Sequence, residues 1–184
     1  MPALPLAVAG SLPGLHLRAL VPGDAPAFHA IVTRESVGRM LFAFPPGWTL
    51  EHACALMAEH AQPLAPPFRL AIADGSGGLI GSVGFATGKS DEIAFFLHPD
   101  HAGQGVMRAA LPVFVGAVFT AFDLPELRAV VYHDNPSSRA VLKRTGFVWA
   151  GQHSGRCSSW RAGAERLDTF TLTRAAWDAR KNGM

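Results

Sequence analysis

Two stretches of this 184-residue chain carry residue types at spacings that could do chemistry. The first is His98-Pro-Asp-His-Ala-Gly103-Gln-Gly105-Val-Met107-Arg108. An apolar strand pattern precedes it and a helical pattern follows, which predicts a glycine-containing loop opening a helix. Such a loop aims free backbone N–H groups and the positive end of a helix dipole at an anion. The second is Asp134-Asn135-Pro-Ser-Ser138-Arg-Ala-Val-Leu-Lys143-Arg-Thr-Gly146-Phe147, a polar turn feeding a short amphipathic helix. It places an amide and a hydroxyl three residues apart at a helix start. Taken alone, the glycines read as an ordinary strand–helix turn, and Asn135 and Ser138 as turn and capping residues.

The elements that must position these groups follow from periodicity and punctuation. Leu15 to Leu20 alternates like a half-buried strand, and Pro22-Gly-Asp24 supplies a turn and a cap for a helix from about Ala25. Phe42 to Gly47 reads as a loop, because its paired prolines cannot continue a helix. Thr49 starts a second helix reaching about Ala61. Phe68 to Ala73 and Leu79 to Phe85 form a hairpin across Asp74-Gly-Ser-Gly-Gly78. Glu92 to Leu97 is a strand that ends at His98-Pro99, with a helix from about Gln104 to Phe122 that Pro112 must kink or shift. Leu127 to Tyr132 and Phe147 to Gly151 are strands around a helix over Ser137 to Thr145. Gln152 to Glu165 reads as a polar loop, Arg166 to Leu172 as the last strand, and Trp177 lies near a short terminal helix.

Composition sets the bounds. Half the residues are apolar (49%) and 16% are charged, which describes one globular domain rather than a disordered chain. A net charge of +2 gives no argument for a nucleic-acid partner. Residues 1–14 are Pro- and Gly-rich, lack a basic leader segment, and read as a loose arm before a single domain over 15–184. The longest apolar stretch, Ala109 to Phe122, is too short to span a bilayer. Cys54 and Cys157 show no metal-ligand spacing and are expected as reduced thiols in a cytoplasmic protein, with no metal site.

The two motifs, in this order and about thirty residues apart, resemble the GNAT superfamily of acyl-CoA N-acyltransferases. Within it the chain is most similar to the RimJ/RimL-like branch, which acetylates ribosomal-protein N-termini. The Leu17-Arg18 opening, Asp24, and the Asp168/Trp177 ending belong to that likeness, which runs from Leu15 to Trp177. It implies an α/β (α+β) fold with a mixed central sheet of about six to seven strands, antiparallel in front, with a parallel β-α-β step that splays at the cofactor site. It also implies acetyl-CoA as acyl donor, no metal, direct attack by an amine in a ternary complex, and a homodimer of the kind common in the branch.

By the same resemblance, the backbone of Gly103, Gln104, Gly105, Val106, Met107 and Arg108 cradles the pyrophosphate, with Ala102 and Met107 departing from the family's usual residues. A side chain as large as Met107 predicts crowding there. Phe96, Leu97 and His98 meet the pantetheine arm like an added strand. From residue type alone, Lys143 with Arg139 and Arg144 reads either as a 3′-phosphate contact or as a solvated helix face. Asn135 fixes the pantetheine. The family's tyrosine position is Leu142 here, so protonating the departing thiolate falls to Ser138 or to water. Glu92 through water is the expected base, with His98, His101 and His133 as alternatives. Tyr132 reads as a packing or pocket residue, and Met40, Phe42, Phe44 and Trp48 as an apolar acceptor wall or as ordinary core. The acceptor implied is a peptide or protein N-terminal α-amine. Alternatives are a small amine (polyamine, amino acid or antibiotic) and a non-catalytic CoA-binding module.

Overall fold

A computed structural model describes residues 3–9, 12–61, 65–156 and 158–182. Strands β1 (Leu6–Ala7) and β2 (His16–Ala19) lead into a 3-10 turn, Pro22–Asp24, and helices α1 (Ala25–Val32), α2 (Glu35–Gly38) and α3 (Leu50–Glu59). Strands β3 (Arg69–Ala73), β4 (Leu79–Phe85) and β5 (Ile93–Leu97) follow, then α4 (Val106–Ala121), β6 (Glu126–Tyr132) and α5 (Pro136–Thr145). The chain closes with β7 (Val148–Arg156), β8 (Ala164–Thr173) and α6 (Arg174–Asn182).

Local chemistry accounts for the starts and turns. Thr49 Oγ1 accepts from the N–H of His52, and His52 Nδ1 accepts from the N–H of Thr49, a reciprocal cap that begins α3. Asp74 accepts from the N–H groups of Ser76 and Gly78 and closes the β3–β4 hairpin. Asp24 departs from its expected role as the α1 cap. Its carboxylate turns back to the N–H of Val21 and forks with Arg18 at 2.7 and 2.8 Å.

The strands form two antiparallel sheets, β1-β2-β3-β4-β5 and β6-β8-β7. One parallel bridge, Glu92 to Arg128, joins them, beside a 2.8 Å bond from the N–H of Arg128 to the carbonyl of Asp91. The expected mixed α/β fold is therefore present, with eight strands among the described residues where about six to seven were expected, and the parallel step is a single bridge before β5 and β6 part. Two further expectations are corrected. The arm before residue 15 is not loose over its described part, since Leu6 and Ala7 pair with Leu17 and His16, and Val8 is buried. Gln152 to Glu165 is not a long loop: β7 and β8 pair as far as Arg156 and Ala164.

Side-chain alternation divides the core. Leu70, Ile72, Val83 and Ile93 pack on α4, whose Val106, Leu111, Phe114, Val115 and Val118 are buried. A helix this apolar belongs between layers, and it runs unbroken through Pro112. On the opposite face Ala71 and Phe96 meet Phe28, Ile31, Val32 and Met57 of α1 and α3. Arg69, two residues before Ala71, shares that second face. Cys54 is an exposed thiol, and Cys157 lies outside the described residues.

Candidate active site

The glycine loop has the geometry its sequence predicts. Gly103 and Gly105 sit at φ +76° and +80°, a region other residues enter at a cost. α4 begins at Val106, two residues later than expected, and its first bond runs from the N–H of Ala109 to the carbonyl of Gly105 at 3.0 Å. The N–H groups of Val106, Met107 and Arg108 thus have no intrahelical acceptor. No acidic side chain occupies this first turn, so the positive helix end is uncovered. Gln104 anchors the loop through a 2.7 Å bond from Nε2 to the carbonyl of Asp100. Met107 does not crowd the loop: its side chain is 7% exposed and packs in the core.

β5 supplies the next part. The N–H of His98 bonds the carbonyl of Ile80, and the carbonyl of Glu92 accepts from the N–H of Ala86, both on the β4 side. The antiparallel register is unbroken between these points. By alternation, the backbone groups of Phe95 and Leu97 point away from β4 into the gap left where β6 diverges. The backbone of Phe96, expected to face the gap, bonds β4 instead, and its side chain fills the core under α1.

α5 faces that gap. Asn135 Oδ1 accepts from the N–H of Ser138 at 3.0 Å, so Asn135 is the helix cap. Among the described residues, the Ser138 hydroxyl has no hydrogen-bond partner. Asp168 of β8, 1% exposed, fixes the turn before Asn135. It accepts from His133 Nδ1 at 3.0 Å, Gln152 Nε2 at 3.1 Å and Trp149 Nε1 at 3.2 Å, and lies 3.2 Å from Arg139 Nε. Burial pushes the Asp168 carboxyl up, but these donors outweigh it and hold it below its ordinary value.

The gap opens into two cavities. The larger, about 720 Å³, is walled by Ala102 to Arg108, Phe95 to Leu97, the first turns of α5 with Arg144, and Ser36, Val37, Met40 and Leu41. The smaller, about 70 Å³, is lined by Met40 to Phe44, Arg69, Ala86, Thr87, Ile93 to Phe95, and Ala129 to Val131. Met40, Leu41, Phe95, Asn135 and Ser138 line both, so the two chambers meet at the α5 start.

A loop between β7 and β8 packs against Arg39 to Phe44 and the end of β6, beside this junction. Arg161 lies 3.9 Å above the Tyr132 ring, pairs with Asp134 at 3.0 Å, and donates to the carbonyl of Arg39 at 2.7 Å. Trp160 Nε1 donates to the carbonyl of Phe44 at 2.6 Å. Tyr132 is fully buried and its hydroxyl accepts from the N–H of Ser158, as suits a packing residue.

Other expected residues fall outside the walls. Glu92 is half-buried at the bridge between the sheets; burial raises its carboxyl, against Lys89 and Arg128. His98 accepts from the N–H of Asp100 and caps a second 3-10 turn, Pro99–His101, whereas His101 lines the larger cavity. Lys143 is exposed and lies outside the wall, which Arg144 next to it lines together with Arg108 of α4. Trp48 packs on Phe28 and Phe44 away from the smaller chamber, which Met40, Phe42 and Phe44 do line. Sequence reasoning missed Ser36, Val37, Phe95 and Arg69. No local motif marks them, because they reach the site only through packing of α2 and the sheet.

Fold and cleft together define an α/β protein that offers a helix start to an anionic group and a small, mainly apolar chamber beyond it. The chain belongs to the GNAT acetyltransferase family, whose acetyltransferase (GNAT) domain model matches residues 14–148. Solved structures with the same fold include the ribosomal-protein α-N-acetyltransferase RimL in complex with coenzyme A, at 17% identity and TM-score 0.75, over 92% of this chain and 99% of that one. Spermidine N-acetyltransferase from Vibrio cholerae, in complex with CoA and spermine, matches at 20% and 0.76 over 89% and 98%. A GNAT-family acetyltransferase from Bacillus anthracis matches at 16% and 0.74 over 92% and 98%. No curated protein sequence matches the chain.

Proposed function

We propose that this protein transfers the acetyl group of acetyl-CoA to a primary amine, and that the acceptor is a peptide or protein N-terminal α-amine, as in the RimJ/RimL-like branch. The observation that carries the reading is the meeting of the two cavities at Asn135 and Ser138. The larger chamber fits the donor. The α4 N–H groups and Arg144 suit its phosphates, and the free edge of Phe95 and Leu97 suits its pantetheine amides. When bound, acetyl-CoA supplies a thioester already activated for attack.

The chain's own groups then position and move protons. The acceptor amine enters from the smaller chamber and attacks the carbonyl directly, with the backbone of Phe95 or Leu97 polarising the oxygen. Ser138, its hydroxyl uncommitted, relays a proton to the leaving sulfur and is reprotonated by water, while the attacking amine gives up its own proton to water. Glu92 stands outside both walls, so it acts as base only through bridging water. Its raised carboxyl suits that task, and Glu92→Gln should remove the acidic limb of the pH–rate profile.

The small volume beyond the junction favours one second reading, a free small amine as acceptor. Its wall holds no carboxylate, which counts against a polyamine. We further expect a cytoplasmic homodimer, which sedimentation of the purified chain would test; among the described residues no helix is long and apolar enough to cross a membrane. The deciding experiment is CoA-thiol release from acetyl-CoA against N-terminal peptides and small amines. Turnover on a peptide supports the main reading and turnover on small amines alone the second. Tight donor binding without turnover would point to a CoA-binding module.

A further inference from the structure

Among the described residues, Arg69 is the only charged one lining the smaller cavity. It is 5% exposed, and among the described residues no carboxylate lies within ion-pair distance of it. Its guanidinium donates three bonds, to Ser82 Oγ, the carbonyl of Phe85 and the carbonyl of Ala94, each 3.3 Å long. Those lengths lie beyond the usual N–H···O range, and a guanidinium has five N–H donors, so two are uncommitted. Burial lowers its pKa only to about 10, so the group stays cationic at neutral pH. The rest of the cavity is apolar apart from Thr87, Asn135 and Ser138, and none of these is an anion.

The fold keeps space for this side chain. Gly84 stands opposite Arg69 in the β3–β4 register, and a Cβ there would meet the Phe68 carbonyl and lie 2.8 Å from Cγ of Arg69. The Phe96 ring lies beneath the guanidinium at 5.8 Å. A buried charge without a counter-charge is costly and is compensated in working proteins by pairing. Here the side open to pairing is the chamber that begins at Ser138.

We propose that Arg69 is an anion-recognition residue of the acceptor chamber, and that the amine acceptor carries a carboxylate that pairs with it. This inference rests on the acetyltransferase reading above and narrows its substrate class. The carboxylate can be the α-carboxylate of a free amino acid or an acidic side chain near a peptide N-terminus. Charge-paired recognition of this kind rejects the uncharged analogue, because the buried guanidinium is then left alone.

The test compares matched acceptors with acetyl-CoA as donor: alanine against alaninamide, and Ala-Asp-Ala-amide against Ala-Asn-Ala-amide, for the wild type, Arg69→Gln and Arg69→Lys. The expected result is a preference in kcat/KM of about tenfold or more for the carboxylate member of one pair. Arg69→Gln should erase that preference, Arg69→Lys should keep part of it, and the KM for acetyl-CoA should not move. Which pair discriminates tells a free amino acid from a peptide. Equal turnover within both pairs overturns the inference and leaves the acetyltransferase reading standing.

A second arm needs neither turnover nor a folded variant. Thermal shift of the CoA-saturated wild type is read with N-acetylalanine and with N-acetylalaninamide. Stabilisation by the acid alone supports the proposal; equal stabilisation overturns it, as does absent stabilisation when N-acetyl-Ala-Asp-Ala-amide, read against its Asn counterpart, also gives none. A third arm replaces acetyl-CoA with succinyl-CoA. A preference for that donor, erased by Arg69→Gln, would place the anion on the acyl group and overturn the assignment to the acceptor.

Discussion

Asp168 Oδ2 lies 3.0 Å from Nδ1 of His133, so the middle strand of the small sheet grips the end of β6 two residues before Asn135. Arg139 of α5 approaches the same carboxylate, and its Nη1 donates to the carbonyl of His133. One buried anion therefore sets both the turn and the helix that carry the shared wall of the two chambers.

Asp168→Asn leaves the Arg139 guanidinium beside a neutral amide. Breaking a buried charge network of this kind costs about 3 kcal/mol, read as a lower urea midpoint at pH 7. The folded carboxyl is depressed, so its stabilisation is present above the ordinary carboxylate range near pH ~4 and is lost as pH falls through the folded value. The wild type should lose stability on acidification more steeply than Asp168→Asn. Parallel slopes would exclude this carboxylate as the cause.

Asn135 and Ser138 can be separated by substitution. Asn135→Ala removes a cap and should cost about 1 kcal/mol of stability, whereas Asn135→Asp should restore the cap without restoring the amide. Ser138→Ala should leave the melting temperature near that of the wild type and lower kcat about 10²-fold at unchanged donor KM. Equal rates would move the proton delivery to water.

Gly105→Ala asks a side chain to hold φ +80° at the start of α4. The strain is about 1–2 kcal/mol, and relieving it rotates the N–H groups of the first turn. Donor KM should rise more than kcat falls, measured by initial rates at saturating acceptor.

Arg144 and Lys143 are adjacent, but only Arg144 reaches the large cavity. Arg144→Ala should weaken donor binding and flatten its salt dependence, while Lys143→Ala should leave both near wild-type values. Titration calorimetry at two ionic strengths distinguishes them.

Arg161→Ala should free the β7–β8 loop from Tyr132, Asp134 and Arg39 together. The expected signature is a higher acceptor KM with donor affinity preserved, along with faster proteolysis near residue 160. If donor affinity falls equally, the loop supports the whole cleft rather than the acceptor side.

Much of the fold was legible because its signals are local. Asp74-Gly-Ser-Gly-Gly78 specifies its own turn, Gly103 and Gly105 their own backbone angles, and Asn135 its own helix cap. The β7–β8 hairpin was not legible. Its residues from Gln152 to Glu165 are largely polar, and β7 lies at a sheet edge, so no apolar alternation marks them. β1 was hidden in a Pro-rich arm, since two residues of pairing carry no pattern. In the site, backbone donors could be read from glycine spacing, but Arg144 could not be told from Lys143 without knowing which side of α5 faces the cleft. Arg69 was invisible as a functional residue. An arginine opening an apolar strand reads as a solvated edge, and only the tertiary structure shows it buried without an anion.

The seam between the sheets has a consequence for how the molecule behaves through a cycle. Among the described residues, eight strands in two sheets are joined by one bridge at Glu92 and Arg128, and beyond it the backbone of Phe95 and Leu97 does not pair with β6. On the proposed function, a donor arm seated there would extend the larger sheet as an added strand. Loading would then fill the seam between the two half-sheets, and product departure would reopen it. Amide exchange should slow on both sides of the seam when donor binds, so each turnover would register as a change in the mechanical unity of the fold.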